Sequence, residues 1–286
     1  MRVVFDTNAL SNNSFDLLEA SPMRDLVRRG RIKPVYGHVF IEETMRTYGS
    51  DKRRADLVAR RLPFLADTAA LICNDFLDIW QSELIQSRGI HARIFMQSKT
   101  RARLVAAWRN VPADGSWRAW NESADARQEE DRKRAVQKDI SRGIRDEIVA
   151  WKREVSYAPS RHGISELQRY IAENLVFAGK LFIATLVKSK NPTEVANRWS
   201  RGPDAYPFFT TFVKNMLYIA HHAATRPDAI DLNAQADLDV MTHLIHAEVL
   251  VSNETRFMRT AFEDLWRPRK KVLFTASEFA MFLTKL

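Results

Sequence analysis

The chain has 286 residues, 45% of them hydrophobic and 28% charged, with a formal net charge of +9. This globular composition contains no uninterrupted apolar stretch of about 20 residues, which excludes a membrane-spanning helix. The single cysteine, Cys73, excludes an intrachain disulfide and a structural thiolate zinc site. The basic surplus favours polyanionic partners such as RNA, DNA or an anionic surface.

Residues 2–5 are predicted as a buried strand, Val3-Val4-Phe5, that stops at Asp6-Thr7-Asn8. An acid and two turn-forming polar residues at a strand end place charge at the carboxyl edge of a sheet, where open α/β folds build their sites. No basic leader, apolar core and small-residue cleavage site precede that strand, so a cytoplasmic location is expected. Pro22 to Arg29 reads as a short helix, and Lys33 to Tyr36 as a second strand after the Gly30 stop. A helix over His38 to Tyr48 follows, with Val39, Ile41 and Met45 among its apolar positions and Gly49-Ser50 as its end.

From Asp51 to Thr225 the periodicity is helical, broken at Gly89, 112–115, 157–163 and 191–207, and no strand is predicted there. Within Ala69-Ala70-Leu71-Ile72-Cys73 the cysteine reads as a small core residue. Between Gln86 and Trp120 seven bases, Arg88, Arg93, Lys99, Arg101, Arg103, Arg109 and Arg118, face the single acid Asp114. That stretch is the candidate for tracking phosphates. The interleaved Trp108, Trp117 and Trp120 read as packing anchors ahead of base-stacking platforms. Asn121 to Glu154 alternates in sign, as a solvated helix does.

Alternation of strand and helix resumes after Pro227. A helix near 234–247, a strand at 249–252, a helix at 254–265, the basic turn Arg267-Pro268-Arg269-Lys270-Lys271, a strand at 272–275 and a last helix from Ser277 are predicted. Both termini then build one parallel sheet in an α/β domain, and the middle is an α-helical insertion. Carboxylates drawn together at such an edge repel one another unless a cation compensates them, and hard oxygen ligands select Mg²⁺ or Mn²⁺ over zinc.

Three acidic positions carry a family resemblance: Asp6 with Thr7-Asn8, the acid of Phe40-Ile41-Glu42-Glu43-Thr44, and the carboxyl-terminal stretch. That stretch has Asp237 and Asp239 at a helix start, then Leu250-Val251-Ser252-Asn253-Glu254. In these features, over about a third of its length, the chain resembles the PIN-domain nucleases. The resemblance implies a three-layer PIN-like fold formed by residues 1–50 and 227–286, around a helical insertion at 51–226. It implies Asp6 as first metal ligand, supported by Thr7 or Asn8, and Glu43 as second, with Ser252 supporting. The third acid is left between Asp239, preferred, and Asp237. The family's fourth acid is commonly Asp, whereas this chain has Glu254, a departure that bears on metal number and activity.

The implied activity is a metal-dependent endoribonuclease, with Arg88, Arg93, Lys99, Arg101, Arg103, Arg109 and the turn 267–271 holding RNA. A non-catalytic RNA-binding module, a toxin held by a protein antitoxin, and a structure-specific DNA nuclease are the alternatives. His243 and His246, spaced for one helical face, carry no intervening general-base glutamate; they and His221-His222 read as packed or surface histidines ahead of zinc ligands.

Overall fold

The computed structural model describes residues 1–85, 93–117, 164–225 and 234–286, with positions 146 and 150. Arg88, Arg118, Trp120 and all of the alternating segment 121–154 except positions 146 and 150 lie outside them. The chain forms two compact units, one of residues 1–76, 93–124 and 239–286, the other of 77–92 and 125–238. No helix among the described residues is long and apolar enough to cross a membrane.

The first unit is an α/β domain around a five-stranded, all-parallel sheet. Its strands are β1 (Arg2–Phe5), β2 (Lys33–Tyr36), β3 (Leu71–Ile72), β4 (Val249–Val251) and β5 (Val272–Phe274), in the order β3-β2-β1-β4-β5. β1 is central, pairing Val4 with Val35 on one side and with Leu250 on the other. Short, almost wholly apolar strands suit a sheet buried on both faces. Val3, Phe5, Tyr36, Ile72 and Val251 share one core cluster with Phe15, Leu18, Phe64 and Phe279 from the covering helices.

The helices of this unit are α1 (Asn12–Ala20), α2 (Met23–Arg28), α3 (His38–Arg46), α4 (Asp51–Asp56), α5 (Leu62–Thr68) and, beyond α6 (Phe76–Ile85), α7 (Ser98–Arg109). The last helix, Ala276–Leu283, begins with a reciprocal capping box. Glu278 N–H donates to Thr275 Oγ at 3.2 Å, and Thr275 N–H to Glu278 Oε2 at 2.8 Å. Phe279, one turn in, meets Phe5 edge-on at 5.7 Å.

Several expectations are corrected. Leu71–Ile72 is a strand, paired with β2 through Val35 and Tyr36; two residues carry no periodicity, so only the neighbouring strand reveals it. Residues 51–76 and 93–124 belong to the sheet unit, so the division falls elsewhere than at residues 50 and 227. α1 was not foreseen, and the helix expected from residue 254 begins at Phe257 because Glu254 is spent capping it.

The second unit is helical where described. α8 (Ile164–Leu186), α9 (Pro192–Arg201) and α10 (Pro207–Thr225) pack together with most of α6. Buried Glu83 accepts the backbone N–H groups of Phe208 and Phe209 at 3.2 and 2.8 Å, capping α10. Trp80 stacks on Phe212 with centroids 5.0 Å apart. α11 (Ala234–Thr242) leads through a short turn of 3₁₀ helix, His243–Ile245, towards β4, and Phe257–Leu265, which belongs to the first unit, is α12.

Candidate functional site

Strand order places the site. From β1 the chain builds outward through β2 and β3, then returns to build β4 and β5 on the other side, so the carboxyl ends of β1 and β4 flank the switch point where open α/β sheets leave a crevice. Asp6 follows β1 there, its N–H still donating to Val251 O at 3.0 Å. Ser252 follows β4, and its hydroxyl donates to Asp6 Oδ2 at 2.8 Å.

Glu43 reaches the same place from α3. The Thr7 hydroxyl donates to Glu43 Oε2 at 2.7 Å and lies 3.4 Å from Asp6 Oδ1, joining the two acids through one side chain. Neighbouring Glu42 is exposed and pairs with Arg46 at 3.4 Å, as about 100° of helical rotation requires. Burial, with a further contribution from the Glu43 charge, pushes the Asp6 carboxyl up to about 6 against the lowering effect of the Ser252 hydrogen bond.

Asn8 serves the loops. Its Oδ1 accepts Asn253 N–H at 2.8 Å and sits 3.3 Å from Ser252 Oγ. Asn253, which the sequence reading did not single out, donates through Nδ2 to Asn8 O at 3.2 Å and Ser14 Oγ at 2.9 Å, and accepts Ala276 N–H at 2.9 Å. It joins the turns after β1, β4 and β5, and only its place beside Ser252 in a polar turn hinted at this. Asn253→Ala is expected to destabilise the protein by about 1–3 kcal/mol in urea unfolding, since three side-chain hydrogen bonds vanish; a loss under about 0.5 kcal/mol would show the turns hold without it.

Asp239 lines a small cavity of about 10 Å³, room for roughly one water, with Val4, Phe5, Gly37, His38, Val39, Phe40, Val240 and His243. Its outer atoms are part-exposed, but Oδ1 is sealed and finds no partner among the described residues, and burial raises its carboxyl to about 7. Asp237, about 200° round the same helix, does not line the cavity. Glu254 turns its carboxylate to Arg256, Met258 and Arg259 N–H groups at 2.7, 2.9 and 3.4 Å, as the cap of α12.

No three of these carboxylates bring their oxygens within 4.8 Å of one another. Among the described residues, the group that does so is Cys73, His243 and His246. Both the packed-histidine reading and the small-core reading of Cys73 agree with the burial of His243 and Cys73, and the cluster adds that these side chains could hold a metal ion. One thiol cannot build a cysteine cage, yet the fold brings it to two imidazoles from 170 residues away.

The basic stretch divides. Arg101 donates to Ala70 O, and Arg109, itself exposed, pairs with Asp67 at 2.9 Å; Arg93, Lys99 and Arg103 are exposed as well. Trp108 is buried and Trp117 packs edge-on against Tyr48 at 5.7 Å. The turn 267–271 precedes β5, so it lies at the amino edge of the parallel sheet, opposite Asp6. Arg267 there pairs with Glu263 at 2.8 Å, Arg269 lies over Trp266, and Lys271 donates to Ala247 O.

Fold and site together define an α/β protein with a buried carboxylate, Asp6, at the switch point of a five-stranded parallel sheet. Comparison of the chain with protein-family models, with curated proteins and with solved structures finds no match.

Proposed function

We propose that the sheet edge bearing Asp6, Glu43 and Asp239 is the centre of a Mg²⁺- or Mn²⁺-dependent endoribonuclease. The observation that carries the reading is the Thr7 bridge, which holds Asp6 and Glu43 together at the switch point although burial and like charge oppose ionisation of Asp6. Two carboxylates with room for water are what Mg²⁺ takes from a protein. The orphaned Asp239 Oδ1 is a third oxygen without a protein partner among the described residues.

Asp6 and Glu43 would bind the cation, Ser252 would orient Asp6, and Thr7 would orient Glu43. Once bound, the cation supplies a water of lowered pKa and compensates charge on the phosphate. Arg93, Lys99 and Arg103, being exposed, suit the RNA backbone better than Arg101 and Arg109, which are engaged within the protein. Log affinity is then expected to fall with log salt by about 0.7 per phosphate contacted. RNA as the polymer rests on the family resemblance alone.

Glu254 favours a second reading. With its carboxylate engaged by the α12 backbone, the fourth acid is missing, as suits a non-catalytic RNA-binding module. The test is incubation of the protein and its Asp6→Asn variant with labelled single-stranded RNA, single-stranded DNA and branched DNA, with Mn²⁺ or EDTA. RNA cleavage that needs Mn²⁺ and vanishes in the variant supports the nuclease. Binding without cleavage, indifferent to EDTA, supports the module. Preference for branched DNA, or growth arrest on expression that Asp6→Asn relieves, would replace the RNA reading with a DNA nuclease or a toxin.

A further inference from the structure

We propose that Cys73, His243 and His246 form a zinc site in the sheet unit, which shares none of its ligands with the carboxylate centre although His243 also lines the Asp239 cavity, and which does not depend on the nuclease reading. The ligands are Cys73 Sγ, His243 Nδ1 and His246 Nε2, and the fourth position is left to water or an added donor. His243 Nδ1 lies 3.4 Å from Cys73 Sγ and 3.4 Å from His246 Nε2. Zinc with Zn–S of about 2.3 Å and Zn–N of about 2.0 Å requires tetrahedral edges of about 3.5 Å for S···N and about 3.3 Å for N···N. The two 3.4 Å separations match those edges, and the nitrogen–nitrogen one is longer than the about 2.9–3.0 Å at which N–H···O hydrogen bonds are commonest. The third edge also lies within 4.8 Å.

Rigid elements hold each ligand. Cys73 directly follows β3, its N–H donating to Tyr36 O at 2.9 Å, and it bridges to Phe95. The Phe95 ring stands edge-on to His246, with centroids 4.9 Å apart. His243 packs on Gly37, where a Cβ would come within 2.8 Å of its ring, so the position of that imidazole depends on a bare backbone.

Charge balance is workable. Arg2 and Lys271 act on His246 with positive charge, and Glu248, which accepts Arg2 N–H and acts on Lys271, offsets them. Zinc would displace the Cys73 proton to solvent, and the thiolate would take up one of the two positive charges. A thiolate with two imidazoles suits a borderline-soft ion, whereas Mg²⁺ takes the carboxylates.

The test uses the full chain, stripped with chelator and titrated with Co²⁺ as the spectroscopic stand-in for Zn²⁺. The expected result is one Co²⁺ bound with a thiolate-to-cobalt charge-transfer band and intense four-coordinate visible bands, displaced by Zn²⁺. Cys73→Ser is expected to abolish the charge-transfer band, His246→Gln to weaken affinity at least about 10-fold, and Asp6→Asn to leave the spectrum unchanged. A folded wild-type protein that shows no such band at saturating Co²⁺ overturns the proposal without any variant. So does a band that survives in Cys73→Ser.

Discussion

Asp6→Asn is expected to stabilise the metal-free protein by about 1–3 kcal/mol near pH 8, by about 0.5 kcal/mol near pH 4, and by nothing well below the ordinary value. The Asp6 carboxyl is raised in the fold, from its ordinary value near 3.8 to about 6, chiefly by burial. Below the ordinary value both folded and unfolded chains carry the proton, and ionisation costs the fold nothing. Between about pH 4 and pH 6 the unfolded chain ionises while the fold holds its proton, so wild-type stability falls as pH rises, and above about 6 the full cost persists. Asparagine removes that charge while keeping an acceptor for the Ser252 hydroxyl.

Urea unfolding of both proteins in EDTA across this range is the measurement. A variant less stable than wild type at alkaline pH would refute the assignment of Asp6 as a strained buried acid. The prediction also serves the cleavage assay: a variant that is more stable yet inactive has lost chemistry, not structure. Added Mn²⁺ is expected to narrow the difference by stabilising only the wild type, as a ligand of the folded state does.

Gly179→Ala is expected to cost about 3 kcal/mol or more, the upper range of overpacking. A Cβ on α8 at that position would fall within the ring of Trp199 on α9. That ring cannot yield easily. It is fully buried, its Nε1 donates to Thr210 Oγ at 3.0 Å, and Phe209 meets it edge-on at 5.4 Å. Gly202→Ala, where a Cβ meets nothing within 4 Å, is the control and is expected to stay within about 0.5 kcal/mol of wild type. Equal unfolding midpoints for the two variants would show that α8 and α9 separate at little cost.

The sequence by itself determined the strands that have neighbours in the pattern. Val3-Val4-Phe5, Lys33 to Tyr36, Val249 to Val251 and Val272 to Phe274 are apolar runs bounded by turn residues, and their alternation with helices implies a parallel sheet. Asp6 could be read at a strand end for the same reason, since a strand and the residue that stops it are adjacent in the chain. Trp108 was legible as a packing anchor from its helical spacing.

What depends on distant partners was not legible. The two-residue β3 exists because β2 offers it a ladder. Asp237 and Asp239 share one helix start, and only packing decides that Asp239 is the one lining the cavity, with Oδ1 sealed from solvent. Glu254 looks like a fourth acid until the start of α12 claims its oxygens. Cys73, alone in composition, meets His243 and His246 only when β3 and the turn before β4 are folded onto one sheet. Local pattern reports burial and period, which neighbours along the chain decide, whereas a site is a convergence of side chains in space, which only the tertiary fold creates.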